Sequence, residues 1–183
     1  MTSPVVIQPY LSLKPDVRLR DGLDAVFFQS SNKKSFASDQ EKRAFRERWL
    51  GRYLEHDPQF VFVAVATDGT IAGYIAGSID DPALTPRFQD IGYFSVFKDL
   101  TRAFPAHLHV NLAPRYRGQK TGGLLVETFT AAVARAGAPG VHVVTGRGAR
   151  NVSFYNRQGF YEQAATGDGG EAVVFLARRL GYS

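Results

Sequence analysis

Within residues 106–138, "AHLHVNLAPRYRGQKTGGLLVETFTAAVARAGA", the hydrophobic pattern changes from one period to another. Residues 106–114 alternate between apolar and polar side chains, which is typical of a β-strand. The two faces of this strand are predicted to carry Leu108, Val110 and Leu112, and His107, His109 and Asn111. From residue 121 to near Gly137 the apolar residues recur at helical spacing. A strand, a glycine-rich loop and a helix are therefore predicted in that order.

Further elements follow from the same patterns. Strands are predicted at 5–10, 60–66, 71–79, 140–146 and 172–180, and helices at 16–30, 39–56 and within 150–160. Asp68–Gly69 predicts a hairpin with a two-residue type I′ turn between the second and third strands. Residues 80–104 show no sustained period and are predicted to form a loop with short helical pieces, which is typical of a lid or a pocket wall.

The alternation of strands and helices predicts an α/β fold, with a mixed, mostly antiparallel sheet that contains one parallel segment. A chain of 183 residues can bury one core, and the sequence contains no linker or internal repeat. A single domain covering residues 1–183 is therefore predicted.

Composition excludes several kinds of site. The chain has no cysteine, which excludes disulfides, thiolate metal sites and a covalent cysteine intermediate. His107 and His109 could face one side of a strand and bind a metal, but no third ligand follows at a characteristic spacing, so no metal site is predicted.

The net charge of +5 comes from basic residues that are scattered along the chain, and this distribution does not indicate a nucleic-acid surface. Without a signal peptide or membrane span, a cytoplasmic protein is predicted.

The loop before the predicted helix has the composition of an anion site. The first N–H groups of a helix have no intrahelical acceptor, and the helix dipole adds positive potential there. Gly118, Gly122 and Gly123 would let the backbone approach a phosphate closely, while Arg117 and Lys120 add charge. The loop is neither a Walker A motif nor a dinucleotide-binding motif, because neither glycine spacing is present. A solvated basic turn is the alternative.

Two segments carry a resemblance to a known family. "LHVNLAPRYRGQKTGGLL" (108–125) resembles the core motif of the GNAT superfamily of N-acetyltransferases, and "NVSFYNRQGF" (151–160) is similar to the motif that follows it there. Within that superfamily, "FVAVATDGTIAGYIAGSIDD" (62–81), "FP" (104–105) and "AVVFLARRL" (172–180) resemble the acetyltransferase-like C-terminal domain of O-GlcNAc hydrolases and its stand-alone bacterial relatives. The resemblance implies the GNAT fold and acetyl-CoA as cosubstrate.

The same resemblance implies a role for each matching residue. The backbone of Asn111, Leu112 and Ala113 would pair with the pantetheine arm of acetyl-CoA, and Asn151 would orient the helix or the cofactor. The alternative for Asn151 is a structural role as the N-cap of the helix. Tyr155 would protonate the departing thiolate. The pyrophosphate would lie on the N–H groups of Arg117, Gly118, Gln119, Lys120, Thr121, Gly122 and Gly123. Lys120 departs from the family, which usually has glycine at this position.

The implied activity is direct transfer of acetyl to a primary amine, either on a small molecule or on a protein lysine. No general base is identified by the sequence: His107 and His109 are candidates because imidazoles titrate near neutrality. Asp80 and Asp81 could instead attract a cationic acceptor. The alternative is a catalytically inactive module that binds acetyl-CoA as a sensor or scaffold. Aromatic residues in 80–104 would suit a substrate wall or the contact of a homodimer.

Overall fold

The computed structural model describes residues 4–169 and 172–181. Its strands are β1 (Val5–Pro9), β2 (Phe62–Ala66), β3 (Ile71–Ser78), β4 (Ala106–Leu112), β5 (Gly140–Gly146), β6 (Tyr161–Thr166) and β7 (Val173–Arg179). Its helices are α1 (Val17–Ser30), α2 (Asp39–Arg46), α3 (Arg52–His56), α4 (Gly92–Val96), α5 (Lys98–Ala103), α6 (Thr121–Arg135) and α7 (Asn151–Arg157). The elements predicted from the sequence are present in the predicted order, and β6 is a further strand for which the sequence analysis gave no bounds.

Within these described residues the seven strands are hydrogen-bonded in the order β1-β2-β3-β4-β5-β7-β6. β4 and β5 are parallel, whereas β1–β2, β2–β3, β5–β7 and β6–β7 are antiparallel. This confirms the predicted mixed, mostly antiparallel sheet with a parallel segment. The chain forms two compact units, one of Met1–Gly77 with His109–Phe129 and the other of Ser78–Leu108 with Thr130–Ser183. The single domain expected for residues 1–183 stays a prediction.

In the first unit, α1 is defined by a capped start and one apolar face. The Asp16 carboxylate accepts a hydrogen bond of 2.9 Å from the N–H of Leu19, which satisfies one of the helix's unpaired donors. Four side chains at helical spacing are buried: Leu19, Leu23, Val26 and Phe27. Ser38 caps α2 in the same way, through the N–H of Glu41 at 3.1 Å.

The helix predicted over 39–56 is interrupted rather than regular. A π-helical turn, Glu47–Gly51, separates α2 from α3. A Cβ on residue 51 would overlap the Glu47 carboxylate, the flexible end of a side chain that would have to move aside. A π-turn inserts one extra residue and rotates the side chains that follow it. Tyr53, on α3, is completely buried as a result of this packing.

The β2–β3 hairpin is present, but its turn differs from the prediction. A type I′ turn requires positive φ at both central residues, and of Asp68 and Gly69 only Gly69 has it, at +81°. The Gly69 N–H donates to the Ala66 carbonyl at 2.9 Å, and the Ala66 N–H donates to the Thr70 carbonyl at 2.9 Å. This is the three-residue loop in which a left-handed glycine follows a type I turn. The Asp68 carboxylate holds it by accepting from the Thr70 N–H at 2.9 Å.

β3 and β4 approach each other very closely near the end of β4. The Ala113 N–H donates to the Ala72 carbonyl at 2.9 Å. A Cβ on Gly73 would lie 2.6 Å from the carbonyl oxygen of Asn111 and would also overlap the Leu112 side chain. Glycine at position 73 therefore permits the backbone distance that this pairing needs.

The second unit has an aromatic core. Phe97, Phe104 and Phe175 are each at most 5 % exposed and form one cluster, against which Tyr93 and Leu100 pack. Residues 80–104 contain a 3₁₀ turn (Pro86–Phe88), α4 and α5, so the prediction of short helical pieces is confirmed. Phe88 and Phe94 are buried and pack against each other and against His107, whereas Val96 of α4 is exposed.

The loop from β4 to α6 contains two left-handed residues. Gly118 has φ of +75° and Lys120 has φ of +67°. Among the described residues, Lys120 is the only non-glycine residue with positive φ. A Cβ in this conformation meets the adjacent carbonyl, at a cost of roughly 1–2 kcal/mol. The position where the GNAT family usually has glycine is thus one where glycine is the least strained residue.

We expect Gly73→Ala to reduce the free energy of unfolding by about 1–3 kcal/mol, because the Asn111 carbonyl is backbone and cannot move aside without disturbing the β3–β4 pairing. Gly92→Ala is the matched control, since a Cβ there meets nothing within 4 Å. Urea unfolding measures both. Equal stability of the two variants would contradict the close approach at Gly73.

We expect Lys120→Gly to raise the free energy of unfolding by about 0.5–1 kcal/mol, because relief of the left-handed strain exceeds the added entropy of an unfolded glycine. Gly118→Ala is its mirror control and should lower the same quantity by about 1 kcal/mol, although a Cβ at Gly118 meets no atom within 4 Å. Urea unfolding without ligand measures both. A stability loss in Lys120→Gly would mean that the Lys120 side chain stabilises the fold by more than its backbone strains it.

Candidate functional site

The predicted site residues are divided between the two units. Asn111 and Leu112 end β4 in the first unit, and Ala113 follows it. Arg117–Lys120 form the loop, and Thr121–Gly123 form the first turn of α6. Asn151 and Tyr155 lie on α7 in the second unit. The structure therefore brings strand, loop and helix start together as the sequence predicted. The residues on α7 belong to another part of the chain.

α6 begins immediately after the left-handed Lys120. The Lys120 carbonyl accepts the first helical hydrogen bond, from the Leu124 N–H at 3.1 Å. The N–H groups of Thr121, Gly122 and Gly123 precede that bond and have no acceptor within the helix. Lysine has no side-chain acceptor that could cap them. The helix start thus presents backbone donors and a positive dipole end, a combination that suits a phosphate.

The loop is itself held by local hydrogen bonds. The Gln119 side-chain amide donates to the Arg115 carbonyl at 2.6 Å. Arg115 lies in the 3₁₀ turn Pro114–Tyr116, where its guanidinium stacks 4.8 Å above the Tyr116 ring. Tyr116 is 1 % exposed and anchors the turn in the core. The Gln119 side chain therefore stabilises the loop, in addition to any ligand contact of its backbone N–H.

Arg117 is directed differently from the sequence expectation of a charge placed beside phosphates. Its Nε donates to the Leu112 carbonyl at 3.2 Å, and its Nη2 lies 3.5 Å from the Ser30 hydroxyl. Ser30, the last residue of α1, also donates to the Leu112 carbonyl, at 3.2 Å. Ser30 had no sequence signal, because it is separated from Leu112 by 82 positions.

The direction of the β4 backbone corrects part of the predicted pantetheine contact. The Ala113 N–H is already bonded to Ala72 on the β3 side. Since alternate residues of a strand direct their N–H and C=O groups to the same neighbour, those of Asn111 point toward β3 as well. Ala113 and Asn111 therefore cannot offer backbone groups to a ligand strand, whereas Val110 and Leu112 point the other way.

The polar face of β4 forms two buried side-chain pairs in the first unit. The Asn111 amide donates to the Tyr74 hydroxyl at 2.9 Å, and burial raises the pKa of Tyr74. The His109 Nε2 lies 3.1 Å from the Tyr53 hydroxyl, and its ring packs edge-on against Trp49. Burial, with a smaller contribution from the charge of Arg52, lowers the pKa of His109 to about 4. His109 is thus a neutral imidazole at pH 7.

The two candidate bases have different surroundings. His107 is 2 % exposed in the second unit, where its ring packs against Phe88 at 4.7 Å and Phe94 at 5.3 Å, with His142 at 5.6 Å. It is a core residue in this arrangement. His109 retains some exposed surface at the end of the polar face of β4. Of the two, His109 is the one that a solvent molecule or substrate can reach.

Tyr155 is 4 % exposed, and its ring packs against Phe154 at 5.1 Å and Phe160 at 5.7 Å. Burial raises the pKa of its hydroxyl, which therefore keeps its proton at neutral pH. Asn151 is the first residue of α7 and not its N-cap, which is Arg150. This corrects the capping role considered for Asn151, whose side-chain oxygen instead accepts from the Thr145 hydroxyl at 2.9 Å.

Asp80 and Asp81, considered as attractors of a cationic acceptor, both have partners in the second unit. Asp80 accepts from the Arg87 guanidinium at 2.9 Å. Asp81 accepts from the Ala83 N–H at 3.0 Å and so forms an Asx turn. The hydrogen bonds of both carboxylates therefore stabilise the start of the 80–104 segment.

Two grooves of about 310 and 670 Å³ lie in the first unit along α1, α2 and the π-helical turn. Neither contains a predicted site residue, so the candidate site depends on strand and loop geometry and not on these grooves. Among residues 4–169 and 172–181, no helix combines the length and apolar character needed to span a membrane. Within the same residues, no three His, Asp or Glu side chains are grouped as metal ligands would be.

Comparison with known proteins agrees with the fold. The crystal structure of SsHAT matches with a TM-score of 0.74 and 23% identity, covering 97% of this chain and 99% of that one. PH1933 from Pyrococcus horikoshii OT3 matches with a TM-score of 0.72 and 15% identity, covering 98% and 100%. The putative acetyltransferase yncA from Salmonella typhimurium, solved with its cofactor acetyl-CoA, matches with a TM-score of 0.61 and 15% identity, covering 99% and 96%.

At these identities the structural likeness establishes the fold alone. The sequence itself matches the Acetyltransferase (GNAT) family over residues 25–160. That match covers well over half of the 183 residues and includes the β4–loop–α6 segment. The chain therefore belongs to the GNAT family of acetyltransferases, which use acetyl-CoA as their cosubstrate.

Proposed function

We propose that the protein transfers the acetyl group of acetyl-CoA directly to a primary amine. The observation that carries the proposal is the start of α6, where the N–H groups of Thr121–Gly123 precede the first intrahelical hydrogen bond and follow the left-handed residues Gly118 and Lys120. This geometry suits a pyrophosphate, because several backbone donors and the dipole act on the same anion. Direct transfer follows from the absence of cysteine as an acyl carrier.

The residues present fit acetyl-CoA as follows. The N–H groups of Thr121, Gly122 and Gly123 would hold the pyrophosphate, with Lys120 adding charge at the loop. The backbone groups of Val110 and the N–H of Leu112, which point away from β3, would pair with the pantetheine arm as an added strand does. They replace Asn111 and Ala113, whose backbone groups face β3. When bound, acetyl-CoA supplies the thioester.

Tyr155 is the proposed general acid. As the bond from the amine nitrogen to the acetyl carbon forms, the carbon–sulfur bond breaks, and the departing sulfur requires a proton. A thiol has a pKa of about 8.5 and a phenol one of about 10, so proton donation from tyrosine to the thiolate is uphill by about 2 kcal/mol at ordinary pKa values, and the raised pKa of Tyr155 adds to that cost. The raised pKa of Tyr155 ensures that its proton is present at neutral pH. Its packing against Phe160 fixes the direction of the ring.

His109 is the proposed base that receives the proton lost by the amine. Its imidazole is neutral at pH 7, and one ring nitrogen, Nε2, is already paired with the Tyr53 hydroxyl. In the tautomer whose Nε2–H donates to that hydroxyl, Nδ1 has the free lone pair and can accept a proton, directly or through water. The neighbouring Asn111 cannot serve, since an amide is not basic. Orientation by Tyr53 follows the general pattern of a base held by a third group.

The acceptor is proposed as a small-molecule amine or a protein lysine. The resemblance of residues 62–81 and 172–180 to the acetyltransferase-like domain of O-GlcNAc hydrolases supports a protein lysine. Asp80 and Asp81 give no support for a cationic subsite, because each already has a partner. The homodimer and the cytoplasmic location stay predictions.

A second candidate function is an acetyl-CoA-binding module without turnover. The observation that favours it is Lys120, which occupies with strain a left-handed position that glycine would fill freely. The backbone strain at Lys120 agrees with a protein whose loop binds acetyl-CoA but which does not turn it over rapidly. Kinetics of a Tyr155 variant separate the two candidates.

We expect Tyr155→Phe to lower kcat by about 10²-fold or more while acetyl-CoA binding is retained, since the ring still packs but the proton donor is lost. Turnover is measured by thiol release with a panel of amines. Binding is measured as the rise in melting temperature at a hundredfold excess over Kd, roughly 5–11 °C.

Tyr161→Phe is the matched control, because Tyr161 is 63% exposed on β6 and should leave both quantities unchanged. An unaltered kcat in Tyr155→Phe, or no turnover in the unmodified protein despite binding, would favour the module. No melting shift with acetyl-CoA or CoA would contradict both candidates.

We expect the folded state to keep His109 neutral, which makes stability depend on pH. Its folded pKa of about 4 lies below the ordinary value of 6.5, so the unfolded chain binds more protons between these values. The contribution of the neutral His109 to the free energy of unfolding is complete above pH 6.5 and is lost as the pH falls toward 4, by roughly 2–3 kcal/mol.

Unfolding of the wild type and His109→Gln is compared from pH 7.5 to 4. The wild type should lose more stability, whereas His56→Gln, at an exposed histidine, should follow the wild type. Parallel curves for wild type and His109→Gln would refute a neutral His109.

A further inference from the structure

The carbonyl of Leu112 accepts two hydrogen bonds, one from a distant part of the chain and one from the loop that follows β4. One comes from the Ser30 hydroxyl at 3.2 Å and the other from Arg117 Nε at 3.2 Å. A carbonyl oxygen has two lone pairs, so both are in use. Arg117 Nη2, 3.5 Å from the Ser30 oxygen, closes a triangle of contacts. We call Ser30, Leu112 and Arg117 the Leu112 clamp.

The clamp joins three elements at the point where the phosphate loop begins. Ser30 is the last residue of α1, Leu112 is the last residue of β4, and Arg117 is the first residue after the turn Pro114–Tyr116. Because Arg117 is held by its side chain, its backbone is fixed relative to the end of β4. The left-handed Gly118 and the start of α6 follow directly from that fixed point.

The clamp also limits what Leu112 can offer to a ligand. Its backbone groups point away from β3, since those of Ala113 point toward β3. Its carbonyl is saturated by Ser30 and Arg117, so an approaching amide N–H finds no lone pair there. An extended ligand along β4 can therefore pair with the groups of Val110 and the N–H of Leu112, but not with the Leu112 carbonyl.

We propose that Ser30 and Arg117 are positioning residues for the acetyl-CoA site, which act by clamping the Leu112 carbonyl and so orient the N–H groups of the loop. The inference rests on the proposed function. In this role the Arg117 guanidinium binds the Leu112 carbonyl, and α1 contributes to the cofactor site through Ser30. A direct ion pair between Arg117 and phosphate is the competing role.

The test uses Ser30→Ala, Arg117→Lys and the double variant of the full chain, with CoA as the probe in calorimetry. Each single variant loses a clamp hydrogen bond, and each should weaken CoA binding by about two- to tenfold. The double variant should bind about as weakly as the weaker single variant, because the two side chains act on one carbonyl. Ser30→Thr keeps the hydroxyl and should restore wild-type affinity.

A second readout needs no ligand. Backbone ¹⁵N relaxation of residues 118–120 in the ligand-free protein should show order parameters falling from about 0.85 toward 0.6 in Ser30→Ala and Arg117→Lys. Ser31→Ala and Arg115→Lys are the matched controls. Ser31 bonds only within its own turn to Lys33, and Arg115 stacks on Tyr116. Both controls should keep wild-type loop order.

The outcomes separate the possibilities. Unchanged loop order and wild-type affinity in Ser30→Ala overturn the clamp. Fully additive losses in the double variant also overturn it and assign Arg117 to the phosphate. If the wild-type protein does not bind CoA, the proposed function fails, while the relaxation data alone still decide whether the clamp orders the loop.

Discussion

The close pairing of β3 and β4 is the constraint on which the rest of the candidate site depends. Gly73 lets the strands approach, and the Ala113 N–H is bonded to Ala72 at the end of the pairing. Since a strand alternates the direction of its backbone groups, this one register decides which residues of β4 face β3. It leaves Val110 and Leu112 to face away from β3. It also fixes where the chain turns into the phosphate loop.

The electrostatics of the site follow from the same strand. His109 and Asn111 lie on its polar face, and each meets a buried tyrosine hydroxyl, of Tyr53 and Tyr74 respectively. Buried polar groups need such partners, because an unpaired one costs about 1–3 kcal/mol. Burial then keeps the His109 imidazole neutral and the Tyr74 hydroxyl protonated.

Much of the candidate site was predictable from local sequence. The alternation of 106–114 and the helical period after residue 121 identified β4 and α6, because each pattern reflects one buried face. Lys120 was singled out as a departure, and its left-handed φ gives the physical reason why glycine is usual there. Local details were predicted less accurately from the sequence. Asp68–Gly69 predicted a hairpin but not its three-residue turn, and Asn151 proved to be the first residue of α7 and not its cap.

By itself, the sequence determined the order of strands and helices, the α/β class, the family and the absence of a cysteine nucleophile. These are properties of local period, motif and composition, which require no knowledge of distant contacts. Only the tertiary structure decided which backbone groups of β4 face β3, that Arg117 binds the Leu112 carbonyl, and that Ser30 joins it there. The physical reason is that Ser30 lies 82 positions from Leu112, and that the contact of Arg117, only 5 positions from Leu112, depends on the turn Pro114–Tyr116 between them. The partners in these contacts are set by the register of strands and by the end of α1, which no local pattern encodes.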